Sequence, residues 1–245
     1  MFWTEYPRDV IEVAGPDAGT YLQSQLANDL RSLQVGQSCW AFVLEPTGKV
    51  DVLLRAWRTG EETFVLDTDA GFGDVMTARL NRFKIRVKAE IAPLPWGCIA
   101  VRGVDTSSVI GGIASWGGGV DLLGPGVQPP AGIGPGSDDD LLAARIEAGW
   151  PAMGSEIVPG ETIPAETGIS DVAVSFTKGC YPGQELVERM DSRGATAPRS
   201  LRTVEVPAEA QVGDAVQRDG VDIGTITSVH GGRALALVKR SARQV

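Results

Sequence analysis

Two apolar runs joined by a short turn constrain the fold of this chain more than any other feature. The runs cover residues 39–44 and 50–58, and Pro46-Thr47-Gly48-Lys49 lies between them. Proline followed two positions later by glycine is typical of a tight turn, because proline fixes φ and glycine tolerates the positive φ that many turns need. The pattern therefore predicts a β-hairpin, and a hairpin requires an antiparallel sheet.

The segments around the hairpin predict a mixture of helices and strands. Residues 10–13 and 63–67 are predicted strands, and residues 18–26 and 71–83 place apolar side chains at helical spacing. Residues 85–91 alternate apolar with polar or charged side chains, which predicts an antiparallel strand exposed on one face. This order favours an α+β sheet with helices on one face. The sequence contains neither a GxGxxG nor a Walker pattern, which argues against NAD or ATP binding.

The second half of the chain changes character twice. Residues 124–136 are mostly glycine and proline, as is typical of a loop or a mobile linker. A helix is predicted at 141–148 after three aspartates, which the helix dipole favours at an N-terminus. Four short alternating runs separated by glycine turns then predict a small β-barrel or sandwich. We divide the chain into residues 1–198, two intertwined α+β subdomains with a linker near 124–137, and a C-terminal β-barrel, 199–245.

The composition argues against several classes of protein. The chain has 245 residues, 43% of them hydrophobic, a net charge of −9 and a mean hydropathy of +0.00. It can bury a sizeable core, and its acidic balance argues against nonspecific nucleic-acid binding, although a local basic patch remains open. No window approaches the roughly 18 apolar residues of a membrane helix, and the first twenty residues lack a basic start followed by an apolar run. We therefore expect a cytoplasmic protein with neither a membrane nor a nucleic acid as a direct partner.

Three cysteines are spread widely along the chain, at Cys39, Cys98 and Cys180. Their odd number, and the absence of CxxC or His/Cys clustering, imply neither a disulfide framework nor a zinc site, and we expect no bound metal. Cys39 and Cys98 lie among large apolar residues and are predicted to be in the core.

Cys180 has a different sequence context. It lies after a predicted strand, residues 172–176, and about two residues before a helix predicted to begin at Pro182, and Lys178 adds a positive charge two residues away. A helix N-terminus and a nearby cation both favour a thiolate over a thiol, so we predict a reactive cysteine. The alternative is a buried cysteine that serves only as a small apolar side chain.

The same stretch carries a resemblance to a known family. Lys178-Gly179-Cys180-Tyr181-Pro182-Gly183-Gln184-Glu185 resembles the signature of the YgfZ family of folate-binding proteins, and the similarity covers nearly the whole chain. These are relatives of the aminomethyltransferase, or T protein, of the glycine cleavage system, and they include mitochondrial iron–sulfur assembly factors. The resemblance implies an aminomethyltransferase-like folate-binding fold of mixed antiparallel sheets and helices with a small C-terminal β-barrel. It also implies a bound tetrahydrofolate or other reduced folate.

Two glutamates are the candidate pterin contacts. Arg145-Ile146-Glu147-Ala148-Gly149 and Pro164-Ala165-Glu166-Thr167-Gly168 resemble aminomethyltransferase segments whose carboxylates meet the pterin ring. A carboxylate can accept the amide N–H and the 2-amino group of a pterin in parallel. The same oxygens could equally hold an arginine, and Glu147 could be a solvated helical residue.

Basic residues and one aspartate complete the candidate site. Arg189, Arg193 and Arg199 are candidates to meet the glutamate tail of a folate, or they form a solvated basic edge. T proteins carry two adjacent aspartates shortly after the glycine that matches Gly48, whereas this chain has only Asp51 there, beside a valine. That difference favours the YgfZ side of the resemblance, and Asp51 stays a candidate cofactor contact.

We therefore expect a folate-binding protein that supports assembly or repair of iron–sulfur clusters, and through them cluster-dependent tRNA modification. In this hypothesis Cys180 is the functional centre, Lys178 stabilises its charge, and Tyr181 and Gln184 shape the pocket. The expected partners are iron–sulfur assembly or client proteins. One alternative is a folate-dependent aminomethyltransferase or demethylase of the T-protein type. Another is a binding module that senses folate without chemistry.

Overall fold

Three antiparallel sheets form the scaffold of the chain in this computed structural model, which describes residues 1–105, 107, 109–192 and 197–241. The first sheet has the order β3-β4-β5-β2-β6, with β2 at Arg8–Ala14, β3 at Ser38–Leu44, β4 at Val50–Arg58, β5 at Thr63–Asp69 and β6 at Glu90–Leu94. The second has the order β1-β7-β9-β8, with β1 at Phe2–Glu5, β7 at Gly97–Arg102, β8 at Ile113–Ala114 and β9 at Val120–Gly124. The third has the order β10-β13-β12-β11, with β10 at Arg199–Glu205, β11 at Ala215–Arg218, β12 at Val221–His230 and β13 at Arg233–Lys239.

The predicted hairpin and the helices beside it are confirmed. Strands β3 and β4 pair antiparallel, and the turn closes with bonds from Glu45 N to Lys49 O and from Gly48 N to Glu45 O, both of 2.8 Å. Helices α1 (Ala18–Gln25) and α2 (Gly73–Arg82) contribute Leu22 and Leu80 to one core with the first sheet. Within the described residues, no helix is long and apolar enough to span a bilayer.

The strand predicted at 85–91 is wrong for most of its length, because β6 begins only at Glu90. Arg86 has a φ of 58°, which an extended strand cannot contain, and Ile85 is 76% exposed. The apolar residues of 87–91 are nevertheless half-buried against the core of the first sheet and the charged residues between them are exposed, so the alternation predicts the two faces but not the start of the strand.

The strand predicted at 172–176 is also wrong. Its first residues belong to a short helix, α4 (Ser170–Ala173), and the rest is irregular. The backbone here bonds to the loop after α1 instead of a neighbouring strand: Ser175 N donates to Ala27 O, and the Asn28 side-chain amide donates to Val172 O. Alternation alone could not predict this, because a strand also needs a partner strand.

The helix predicted near 141–148 is confirmed as α3 (Asp138–Glu147), but the aspartates lie inside its first turn. Its cap is Ser137, which accepts from Asp140 N while the Asp140 carboxylate accepts from Ser137 N, a capping box. The glycine- and proline-rich stretch before it is a loop tied to the first strand, since Trp3 N donates to Gly134 O and Gly136 N donates to Trp3 O.

The third sheet matches the four strands predicted after residue 198, and α3 packs on it. Ile146 of α3 forms a buried cluster with Leu201 of β10 and Leu235 of β13. Beside this cluster, Arg145 donates to the Glu156 carboxylate and to the Ser228 hydroxyl of β12. The Ser228 hydroxyl in turn donates to Glu156, so a closed polar network joins the barrel to the rest of the chain.

Candidate functional site

Cys180 lies on the loop between α4 and α5 (Gln184–Ser192) and is the exposed thiol of the three cysteines. The helix begins four residues after it, a longer separation than the sequence suggested. Cys39 is half-buried on β3, and burial raises the pKa of its thiol to about 12. Cys98 is buried on β7, and burial raises its pKa further. Solvent and partners therefore reach Cys180 before either other thiol.

Lys178 anchors the Cys180 loop to the end of α1. Its ammonium donates to three backbone carbonyls, of Gln23, Leu26 and Asn28, at 2.6, 2.5 and 3.0 Å. A helix C-terminus leaves such carbonyls unpaired and carries partial negative charge, so a lysine there stabilises both the helix end and the loop. Burial lowers the pKa of Lys178 to about 8. All three ammonium N–H donors are used, so Lys178 has none left to donate to the Cys180 sulfur.

Tyr181 and Gln184 hold the loop from the other side. Tyr181 is 8% exposed and belongs to a core with Trp150 and Val187, so its ring fixes the loop to that core. Burial raises the pKa of Tyr181 to about 12. The Gln184 carbonyl accepts from Tyr181 N at 3.2 Å, and its amide donates to Glu188. These two residues thus stabilise the loop that presents the thiol.

The loop packs against the β3–β4 turn through two glycines. Both have positive φ, 88° at Gly48 and 81° at Gly183. A Cβ atom at Gly183 would lie 2.4 Å from Glu45 O, and one at Gly48 would lie 2.4 Å from Leu186 Cβ. Side chains at either position would separate the turn from the loop, so the hairpin predicted from Pro46 to Lys49 is a support for the Cys180 segment.

An apolar groove of about 390 Å³ lies beside this loop, between α4 and α5. Phe176, 44% exposed, and Met190 are among its lining residues, and Asp171 gives it an acidic side chain. Among the described residues, no group of three or more His, Cys, Asp or Glu side chains is placed to hold a metal ion.

The two candidate pterin glutamates both pair with arginines of the third sheet. Glu166 is 2% exposed, and its carboxylate accepts from Arg199 Nε at 3.0 Å and Nη2 at 3.2 Å, which is a bidentate pair. Glu147 pairs with Arg233, and its side chain is 65% exposed. In the structure, both carboxylates therefore pair with arginines, which is the alternative that the sequence left open.

The remaining candidates do not surround a common cavity. Asp51 pairs with Arg79 Nε at 2.9 Å beside a polar pocket of about 410 Å³, and burial raises the pKa of its carboxyl group. Arg189 is exposed on α5, and Arg199 is engaged with Glu166. Arg193 lies outside the described residues.

Sequence reasoning missed a buried ion-pair network between the first two sheets. Arg55 of β4 is 0% exposed and bonds both Asp67 of β5 and Asp121 of β9, at 3.0 and 2.8 Å. Arg8 extends the network from Asp67, and Arg102 extends it from Asp121. The one signal in the sequence is an arginine in the middle of an apolar strand, which has to be paired if it is buried.

Comparison with known proteins agrees with this architecture. Residues 199–244 match the model of the CAF17 C-terminal beta-barrel domain. The glycine cleavage system aminomethyltransferase T from Bartonella henselae superposes with a TM-score of 0.72 at 18% identity, over 99% of this chain and 79% of that one. The chain has the T-protein fold. The T-protein fold confirms the predicted class, an α+β arrangement of antiparallel sheets with a C-terminal barrel.

Relatives with similar sequences include an uncharacterized protein of Haemophilus influenzae, 28% identical over 92% of this chain and 82% of its own length. The iron-sulfur cluster assembly factor IBA57 homolog of Neurospora crassa is 25% identical over 82% of this chain. The mouse mitochondrial iron-sulfur cluster assembly factor IBA57 is 26% identical over 80% of it. The chain spans 55% of the Neurospora relative and 65% of the mouse relative.

Proposed function

We propose that this protein supports the assembly or repair of iron–sulfur clusters, and that Cys180 is the residue through which it acts. The observation that carries the proposal is the exposure of this one thiol on a loop held by Lys178, Tyr181 and two glycine contacts. The similarity to proteins named as iron–sulfur cluster assembly factors supports it.

The chemistry available to a single thiolate limits what Cys180 does. Iron–sulfur clusters are usually held by four cysteine thiolates, and the described part of the chain offers no cluster of ligands around Cys180. Cys180 therefore supplies one ligand to a cluster that a partner protein holds with the others. Its place on an exposed loop fits a ligand that is bound and released as the cluster passes between proteins.

The test is complementation of a strain that lacks its own counterpart of this protein. Activity of an iron–sulfur enzyme and the level of a cluster-dependent tRNA thiolation are compared for the wild type, Cys180→Ser and Cys39→Ser. We expect Cys39→Ser to rescue like the wild type, because a half-buried thiol with a raised pKa is a poor ligand, and Cys180→Ser to fail. Equal rescue by both variants would show that the Cys180 thiol is not needed.

We further propose that this protein binds a reduced folate, and that the pterin ring contacts Glu147 rather than Glu166. The Glu147–Arg233 pair is solvent-exposed, and exposed pairs contribute only about 0–1 kcal/mol, so a ligand displaces the arginine easily. The Glu166 carboxylate is buried under a bidentate arginine and does not fit a pterin without opening that pair. At Glu147 the carboxylate would accept the paired N–H groups of the ring and so orient it.

Calorimetry with tetrahydrofolate tests this assignment. We expect Glu147→Gln to weaken binding, while Arg233→Gln strengthens it by freeing the carboxylate. Binding that is unchanged in both variants would place the ligand elsewhere. Folate-dependent release of formaldehyde from an N-methyl substrate would instead favour the transferase alternative.

A further inference from the structure

We infer that the segment after α2 is a docking surface for an acidic segment of a partner protein that carries an apolar side chain. We call Arg82, Lys84, Ile85, Arg86 and Lys88 the basic patch. Four cations fall within seven residues, with no acidic residue between them, in a chain whose net charge is −9. Such a concentration of one sign against the overall charge creates a local positive potential.

The cations of the basic patch form no direct ion pair within the described part of the chain. Most of the ion pairs in the described residues use other arginines, and none of these four side chains pairs with a described carboxylate. Lys84 Nζ donates to the Ala89 carbonyl, a neutral acceptor, and the side chains of Arg82, Arg86 and Lys88 are exposed. Two carboxylates lie near the patch: Asp51 interacts electrostatically with Arg82, and Asp17 accepts from the backbone N–H of Lys88 at 2.7 Å.

The backbone of the patch holds an aliphatic side chain outward. Ile85 is 76% exposed, and Arg86 beside it has a φ of 58°, a conformation that residues other than glycine seldom adopt. The segment is fixed on both sides of Ile85, by the bond from Lys84 N to Asn81 O and by the bond from Lys88 N to Asp17. A large aliphatic side chain ringed by arginine and lysine combines apolar contact with a charged rim, as protein interfaces do.

A protein segment suits this surface better than a nucleic acid or a membrane. A base needs an aromatic face to stack on, and the nearest ring, Phe83, is half-buried with the guanidinium groups of Arg79 and Arg82 at 4.1 and 5.6 Å from its centre. One exposed isoleucine is too little apolar surface to insert into a bilayer. Carboxylates on a partner chain satisfy the cations, and one apolar residue of that chain covers Ile85.

This inference goes beyond the proposed function, because it does not involve the Cys180 thiol. The test is an NMR titration of the isotope-labelled full chain with a short synthetic peptide of aspartate and glutamate around one central leucine. Binding is monitored through the backbone amide chemical shifts of the chain. We expect saturable shifts that centre on residues 82–88. A matched peptide with asparagine and glutamine in place of the acids should produce none.

Two matched double variants identify the cause. Arg82→Gln/Lys88→Gln should weaken peptide binding about three- to tenfold. Arg202→Gln/Arg240→Gln, which removes the same charge from β10 and from the residue that follows β13, should leave it unchanged. Ile85→Ser should weaken binding of the leucine peptide but not of one with alanine in that place. The proposal is overturned by equal weakening in both double variants or by the absence of saturable shifts. Tighter binding of a single-stranded RNA or of phosphatidylserine vesicles at the same residues would also overturn it.

Discussion

Replacing Gly183 by alanine should detach the Cys180 loop from the hairpin at a calculable cost. The new Cβ would lie 2.4 Å from Glu45 O, 2.9 Å from Gly48 Cα and 2.9 Å from Leu44 Cβ; the first two atoms are backbone, and the third is attached directly to the backbone of β3. The φ of 81° adds roughly 1–2 kcal/mol for a residue with a side chain. Overpacking of this kind typically costs roughly 1–3 kcal/mol more. We expect a total near 3 kcal/mol, which lowers the Tm of a chain of this length by about 6–12 °C.

Gly36→Ala separates the two contributions to this cost. Gly36 has a φ of 92°, but no atom lies within 4 Å of its Cβ position, so its substitution costs only the backbone strain. Urea unfolding followed by tryptophan fluorescence measures both variants, and the rate of Cys180 alkylation reports whether the loop has moved. We expect Gly183→Ala to be destabilised about 1–3 kcal/mol more than Gly36→Ala, and to alkylate at a changed rate. Equal destabilisation of the two variants would refute the close packing of loop and hairpin.

Three further predictions follow from burial and pairing. Iodoacetamide should label Cys180 in the folded protein and reach Cys39 only after denaturation, as peptide mass mapping would show; equal labelling of both would contradict their exposures. Glu166→Gln should destabilise the protein by about 2–3 kcal/mol, because it leaves Arg199 facing a buried neutral group. Glu147→Gln, which removes an exposed pair, should leave the Tm unchanged, and a similar Tm for both variants would count against the buried pair. Arg55→Met should lower the free energy of unfolding in urea by about 3–5 kcal/mol, because it leaves two buried aspartates without the arginine that they share. An unchanged free energy of unfolding would mean that water enters the network.

The elements that are stabilised by residues close to them in the sequence could be predicted from the sequence. The turn at Pro46 to Lys49 sets its own hairpin, and the four C-terminal strands follow from alternation and glycine turns within a single short segment. The strand predicted at 172–176 failed because its residues bond to Ala27 and Asn28, which are far away in the sequence. A short sequence pattern therefore predicts a secondary-structure element correctly when the residues that stabilise the element are close to it in the sequence.

The candidate site shows the same limit. The exposure of Cys180 agrees with its sequence context, but the partners of Lys178 lie 150 or more residues earlier in the chain, and no pattern around the lysine indicates them. Likewise, the paired oxygens of Glu166 suit an arginine or a pterin equally well, and only the position of Arg199 in three dimensions decides between them. The residue chemistry allowed a two-bond contact at Glu166 without identifying the arginine that makes it.

The pairing of β1 with β7 has a consequence for how the chain is made. Glu5 lies opposite Ile99, so β1 has no partner strand until nearly a hundred more residues have been translated. At roughly 5–20 residues per second, that delay is on the order of ten seconds. During that interval Phe2 and Trp3 of β1 have no sheet to join, and we expect this apolar segment to be a binding site for a chaperone during synthesis.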